Sequence, residues 1–184
     1  LGFSSKIPAS EHTAENHIYW INKVLKELEL KELVYAGQDW GGPIGMGALS
    51  LSPGLLKGAV LLNTGFNAPK VNADLSPAHA LVKTPVIGEL LLEVIFSIFE
   101  RLKSVQGNPD SWTSEVAELY GRPVYESGNS KAPLAMMRMV PDGPNHQSAP
   151  SMRRIEEYVN TLEIPTEIVW GENDPILGRA LPIM

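Results

Sequence analysis

Five residues carry the most reactive chemistry in this sequence: Gly37, Gln38, Asp39, Trp40 and Gly41. A short apolar run, Leu33 to Ala36, leads into them, and a segment rich in small residues, Gly41 to Ser50, leads out. Strand, tight turn and helix in that order make an elbow, whose apex side chain projects above the end of the strand. Small residues at 37, 41 and 42 let strand and helix approach closely. At the apex stands Asp39, next to the positive end of the helix dipole. It reads as a plain helix cap or as a nucleophile. A carboxylate is ionised at neutral pH, its ordinary pKa being about 3.9. It attacks a saturated carbon without help from a base, expels a leaving group and becomes an ester. Hydrolysis of that ester then needs a base to activate water. The indole N–H of Trp40 donates and cannot accept, which suits a departing anion. Its backbone N–H suits the oxyanion of ester hydrolysis. Trp40 as an ordinary core aromatic is the competing reading.

A second carboxylate follows a second apolar run. "IPTEIVWG", residues 164–171, reads as a strand, and "GENDP" after it holds Asp174. Asp before Pro is also a common turn pairing, so a turn role competes with a catalytic one. The four histidines are His12, His17, His79 and His146, and none follows Asp174. His12 and His17 lie on or near the first helix, the other two in the middle of the chain, and each reads as a surface or structural residue.

The elements that must position these groups alternate. Thr13 caps a helix with Glu15 in its first turn, and Ile18, Ile21, Val24, Leu25 and Leu28 recur at helical spacing. Leu33 to Ala36 is a strand, Gly41 to Ser50 a helix, and "KGAVLLN", residues 57–63, a strand with a continuous apolar run. A continuous run suits a parallel sheet covered on both faces. Helix, strand, helix, strand is the rhythm of an α/β fold. From about Asn67 to Pro150 the rhythm breaks into a helical insertion. "PVIGELLLEVIFSIFERL" predicts one helix apolar on most sides, too short and too charged to span a membrane. A shorter helix starts near Thr113. "APLAMMRMV" and "SMRRIEEYVNTL" also read as helical.

The 184 residues suffice for a sizeable core, and the net charge is −6. No basic stripe suggests nucleic acid and no basic amphipathic helix suggests a membrane surface. Cysteine is absent, which excludes disulfides and thiolate metal sites and fits a reducing compartment such as the cytoplasm. "LGFSSKIP" at the start reads as the middle of a loop, and the last residues stop where a helix should begin. Both point to an incomplete chain.

"GQDWGGPIG" resembles the elbow of the haloalkane dehalogenases in the α/β-hydrolase superfamily, and "LKGAVLLNTGF" and "VWGENDPILG" resemble the following strands of that family. The resemblance covers most of the chain outside the insertion. It implies an α/β-hydrolase fold with a partial parallel sheet and an inserted helical cap. Residues 1–66 would be the N-terminal part of the core without its early strands. Residues 67–150 would be the cap. Residues 151–184 would be a returning strand and acid loop.

By resemblance, Asp39 is the nucleophile and Trp40 the halide-binding indole. The acid that orients the family's histidine occurs at one of two places. The first holds Asn63 here, which cannot serve as an anion; the second is matched by Asp174. The histidine itself has no match in this chain, which as given would alkylate itself at most once. A cap closes an apolar pocket over the family's nucleophile, so Asp39 and Trp40 are expected to share a cavity. Trp112 is a candidate second halide donor or a packing residue. The same Asp-Trp elbow occurs in epoxide hydrolases, for which Tyr120 and Tyr125 would be candidate cap acids or ordinary tyrosines. An incomplete or degenerate hydrolase without activity is the third reading. The resemblance implies a small apolar halogenated substrate, a halide product, and no metal or organic cofactor.

Overall fold

The computed structural model describes residues 4–72, 77–90, 99, 102–127, 131–174 and 177–178. It divides into two compact units: Leu1–Thr13 with Ala73–Asp142, and Ala14–Asn72 with Gly143–Met184. The division falls inside the expected cap bounds of 67–150. Phe66 and Ala68 pack with the core of the second unit. The Ala68 N–H also donates to Glu156 Oε2 at 3.2 Å. The chain therefore leaves that core later than composition suggested.

The second unit holds the elbow. Its elements are α1 (Ala14–Glu27), β1 (Leu33–Gln38), α2 (Gly41–Ser50) and β2 (Leu56–Leu62), then α7 (Ala149–Asn160) and β3 (Thr166–Val169). The three strands form one parallel sheet in the order β1-β2-β3. Strand pairing in register, Tyr35 with Ala59 and Leu61 with Ile168, puts Leu33, Tyr35, Ala59, Leu61 and Ile168 on one face. Those residues join Ile18, Met46, Leu49, Met152 and Ile155 in one core. Burying each large aliphatic there contributes about 1.5–3 kcal/mol. The other face is more open: Val34 is 70% and Val169 54% exposed, Ala36 is exposed, and Val60 and Leu62 are half-buried. Among the described residues, the continuous apolar run of the strands thus serves two faces, of which one is covered more fully.

Helix α1 departs from the predicted face. Ala14, Ile18 and Asn22 are buried, whereas Ile21, Val24 and Leu28 are exposed. Too many apolar residues lie around this helix for spacing alone to choose a face. The choice is made by Asn22, whose Nδ2 donates to Ala48 O (2.9 Å) and Ser52 Oγ (3.1 Å) on and beyond α2. Helices α1 and α7 are further tied by Glu15, which accepts from Ser151 Oγ at 2.7 Å and pairs with Arg154.

The first unit is helical, with α3 (Pro77–Lys83), a single turn α4 (Ile87–Glu89), α5 (Ser114–Tyr125) and α6 (Lys131–Arg138). Arg138 ties three of them. Its guanidinium meets Glu89 in a fork, Nη1–Oε1 2.6 Å and Nη2–Oε2 3.0 Å, while Nε donates to Val82 O. Helix α5 opens as predicted, Thr113 Oγ1 accepting from the Val116 N–H. Most of the long apolar helix expected over 85–102 lies outside the described residues. Among the described residues, no helix is long and apolar enough to cross a membrane.

Candidate active site

The elbow forms because its neighbours leave no other path. A Cβ on Gly42 would collide with Thr64 Oγ1, and one on Gly45 with the Tyr35 ring and hydroxyl. The Tyr35 hydroxyl lies in that gap and donates to the Gly41 carbonyl. Asp39 takes a positive φ of 48°, a conformation that aspartate and asparagine tolerate better than most residues. Three hydrogen bonds hold it there. Its N–H donates to Asn63 O at 3.1 Å, and its carbonyl accepts from Gly42 N–H at 3.0 Å and Thr64 Oγ1 at 2.8 Å. Asp39 is fixed at the C-terminal end of β1, at the start of α2. The carboxylate is exposed to solvent.

Trp40 is half-buried, precedes α2 with helical dihedrals and packs against the core of its unit. Within this unit Asp39 is exposed and Trp40 is half-buried.

Asp174 stands half-buried in the loop beyond β3, and both carboxylate oxygens accept hydrogen bonds. Leu177 N–H donates to Oδ1 at 3.0 Å and Asn63 Nδ2 to Oδ2 at 3.2 Å. Asn63 is 8% exposed and sits at φ 28° just past β2. Its amide also clasps Gly171, accepting from the N–H at 2.7 Å and donating to the carbonyl at 3.0 Å. The ends of all three strands therefore converge on Asn63. Sequence reasoning treated this residue only as an acid position without an acid. The available signal was "LLNTG", in which two short polar residues end an apolar strand.

The cap candidates lie in the first unit. The single N–H of Trp112 is engaged by the Phe99 carbonyl at 2.7 Å, and its ring lies 5.2 Å from that of Tyr120. Tyr125 stands edge-on to Phe99, and both tyrosines are largely exposed. Trp112 and Tyr125 line an open groove with Lys103, Glu118 and Arg122. Of the histidines, His17 stacks edge-on with Trp20, and His146 Nδ1 accepts from the Ser148 N–H. His12 is buried in the first unit, and that burial lowers its pKa. The side chain of His79 lies outside the described residues. Among the described residues no cluster of acids and histidines could hold a metal ion.

A parallel sheet with an aspartate elbow and a helical unit inserted between strands defines a class. Residues 1–181 match the α/β-hydrolase fold family, and the chain belongs to it. Among its relatives is the cis-3-alkyl-4-alkyloxetan-2-one decarboxylase of Shewanella oneidensis, 27% identical over 92% of this chain. The haloalkane dehalogenase of Mycolicibacterium paratuberculosis is 25% identical, also over 92% of this chain. The chain spans 54% of the length of each. Two solved structures share the fold. The haloalkane dehalogenase DatA from Agrobacterium tumefaciens has a TM-score of 0.72 at 21% identity, over 91% of this chain and 58% of its own. DpaA from Paraglaciecola agarilytica has 0.71 at 19%, over 96% and 56%.

Proposed function

We propose that the protein hydrolyses alkyl halides through a covalent ester on Asp39. One carboxylate oxygen of Asp39 bonds to the halogen-bearing carbon, and halide leaves with the electron pair of the broken bond. Trp40 donates its indole N–H to that halide. Water then adds to the ester carbonyl, giving alcohol and the regenerated carboxylate with release of a proton. Asp174 is the acid that orients a water-activating histidine, a role for which none of the histidines described above is placed. The observation that carries the reading is the residue at the apex: an aspartate, strained and held by three backbone-directed bonds, followed by an indole. An exposed carboxylate is blunted by hydration, so the reading requires substrate binding to strip water from Asp39.

The test uses the longest open reading frame that contains this chain, with 1-bromoalkanes as substrates. Halide release is expected, lost by at least about a thousandfold in Asp39→Asn, which keeps the shape and tolerates the positive φ. Release unchanged in that variant overturns the proposal.

A second reading comes from the decarboxylase relative. The same carboxylate would attack the ring carbon bearing oxygen in a four-membered lactone. The ring C–O bond would break to a carboxylate within the substrate. Loss of carbon dioxide would then form the alkene as the Asp39 carboxylate departs. That sequence consumes no water and gives Asp174 no task, so the firm hold on Asp174 favours hydrolysis. Carbon dioxide and alkene from a cis-3,4-dialkyloxetan-2-one, without halide from bromoalkanes, would reverse the order.

A further inference from the structure

Asn63 is built into the site more thoroughly than a vacant acid position needs to be. It is buried, and its side-chain amide makes three hydrogen bonds, two to Gly171 and one to Asp174. The two amide hydrogens divide between Gly171 O and Asp174 Oδ2, and the amide oxygen takes the Gly171 N–H. Its main-chain oxygen holds the N–H of Asp39. An amide that accepts from one end of a loop and donates to the other fixes that loop's height above the sheet. Asp174 lies three residues beyond Gly171, and its N–H donates to the Gly171 carbonyl. The clasp therefore sets where the Asp174 carboxylate stands, and the Nδ2 hydrogen sets how it is turned. A carboxylate with one oxygen on Leu177 N–H and the other on Asn63 has lost its rotational freedom.

We infer that Asn63 is a positioning residue for Asp174, acting in hydrolysis of the ester and not in its formation. The inference rests on the proposed aspartyl-ester mechanism. Attack by Asp39 needs no acid-oriented base, so the first step is independent of the Asn63 amide. The backbone bond from Asn63 O to Asp39 survives any side-chain replacement that folds. The second step, attack of water on the ester carbon, depends on a base held by Asp174. Losing the clasp lets that carboxylate drift, and a drift of an ångström costs on the order of a hundredfold in a step that needs alignment.

The experiment separates the two steps in the full open reading frame. Asn63→Gly removes the amide and suits the positive φ at this position. Pre-steady-state halide release should keep its burst of one equivalent per chain. Ester hydrolysis should slow by about tenfold to a hundredfold, with an alkyl adduct accumulating on the peptide containing Asp39 and read by mass spectrometry. In an Asp174→Asn background, Asn63→Gly should slow ester hydrolysis no further, because a residue that acts through another has nothing left to act on. Additive losses, or a slowed burst with normal hydrolysis, overturn the inference. An Asp174→Asn protein that releases no halide and carries no adduct on Asp39 instead overturns the ester mechanism on which it stands. Where Asn63→Gly yields no folded protein, the Asn63 side-chain amide signals decide. They should shift in the NMR spectrum of Asp174→Asn, and unchanged signals overturn the inference.

Discussion

Asp39 is held by contacts to its backbone, which leaves its side chain free. The main chain of the apex residue is bound on both sides, by Asn63 and by Gly42 with Thr64. Thr64 contributes twice, as a donor to Asp39 O and as the body that fills the notch before Gly42. A methyl group added at residue 42 has no space to enter. Gly42→Ala is expected to destabilise the protein by about 1–3 kcal/mol, as overpacking does, seen as a lower denaturant midpoint. Thr64→Ala in the same background should restore part of the loss by removing the hydroxyl that the new methyl strikes; no recovery would show that the strain lies elsewhere. Residue types made the strand, tight turn and helix around Asp39 legible, because small residues at 37, 41 and 42 follow an apolar run. They did not show the Asn63 amide, because a hydrogen bond between residues so distant in the chain leaves no local pattern.

Among the elements, the fork between Arg138 and Glu89 joins α6 to α4 and reaches α3. The Arg138 guanidinium holds the Glu89 carboxyl well below its ordinary range, to about 2. The sign follows from that depression. The stabilisation is complete above the ordinary carboxylate pKa of 4.5, erodes as pH falls below it, and is gone once pH has passed about 2. Glu89→Gln should therefore lower the thermal midpoint near neutral pH, with the gap to wild type closing between pH 4.5 and about 2. A gap independent of pH would mean that shape, not charge, makes the contact matter. Strand and helix positions were largely readable: β1, α2, β2 and α5 fall where apolar runs, glycines and the Thr113 cap place them. The contact face of α1 was not, because the polar Asn22 is the residue that turns inward. Pattern reading assigns an asparagine to solvent, whereas here two acceptors, Ala48 O and Ser52 Oγ, draw it into the interface.

For the whole molecule, the sheet among the described residues has one face well covered and one more open. Strand β1 pairs with β2 on one side, and among the described residues no strand pairs with its other edge. Val34 and Ala36 point outward from it with Val169 on the same face. An unpaired strand edge beside an exposed apolar face templates association. The isolated chain should therefore self-associate as its concentration rises, followed by light scattering behind a sizing column. Val34→Lys, a charge on the edge strand, should reduce the effect; equal association in both proteins would place the contact on another surface. The amide of Asn63 reaches a partner 111 residues away, and the whole helical insertion lies between them. Such a bond forms only after the intervening loop has closed, a slow and entropically costly event. Asp174 is consequently held by a contact that closes late, whereas the backbone bonds at Asp39 join residues at most 25 apart.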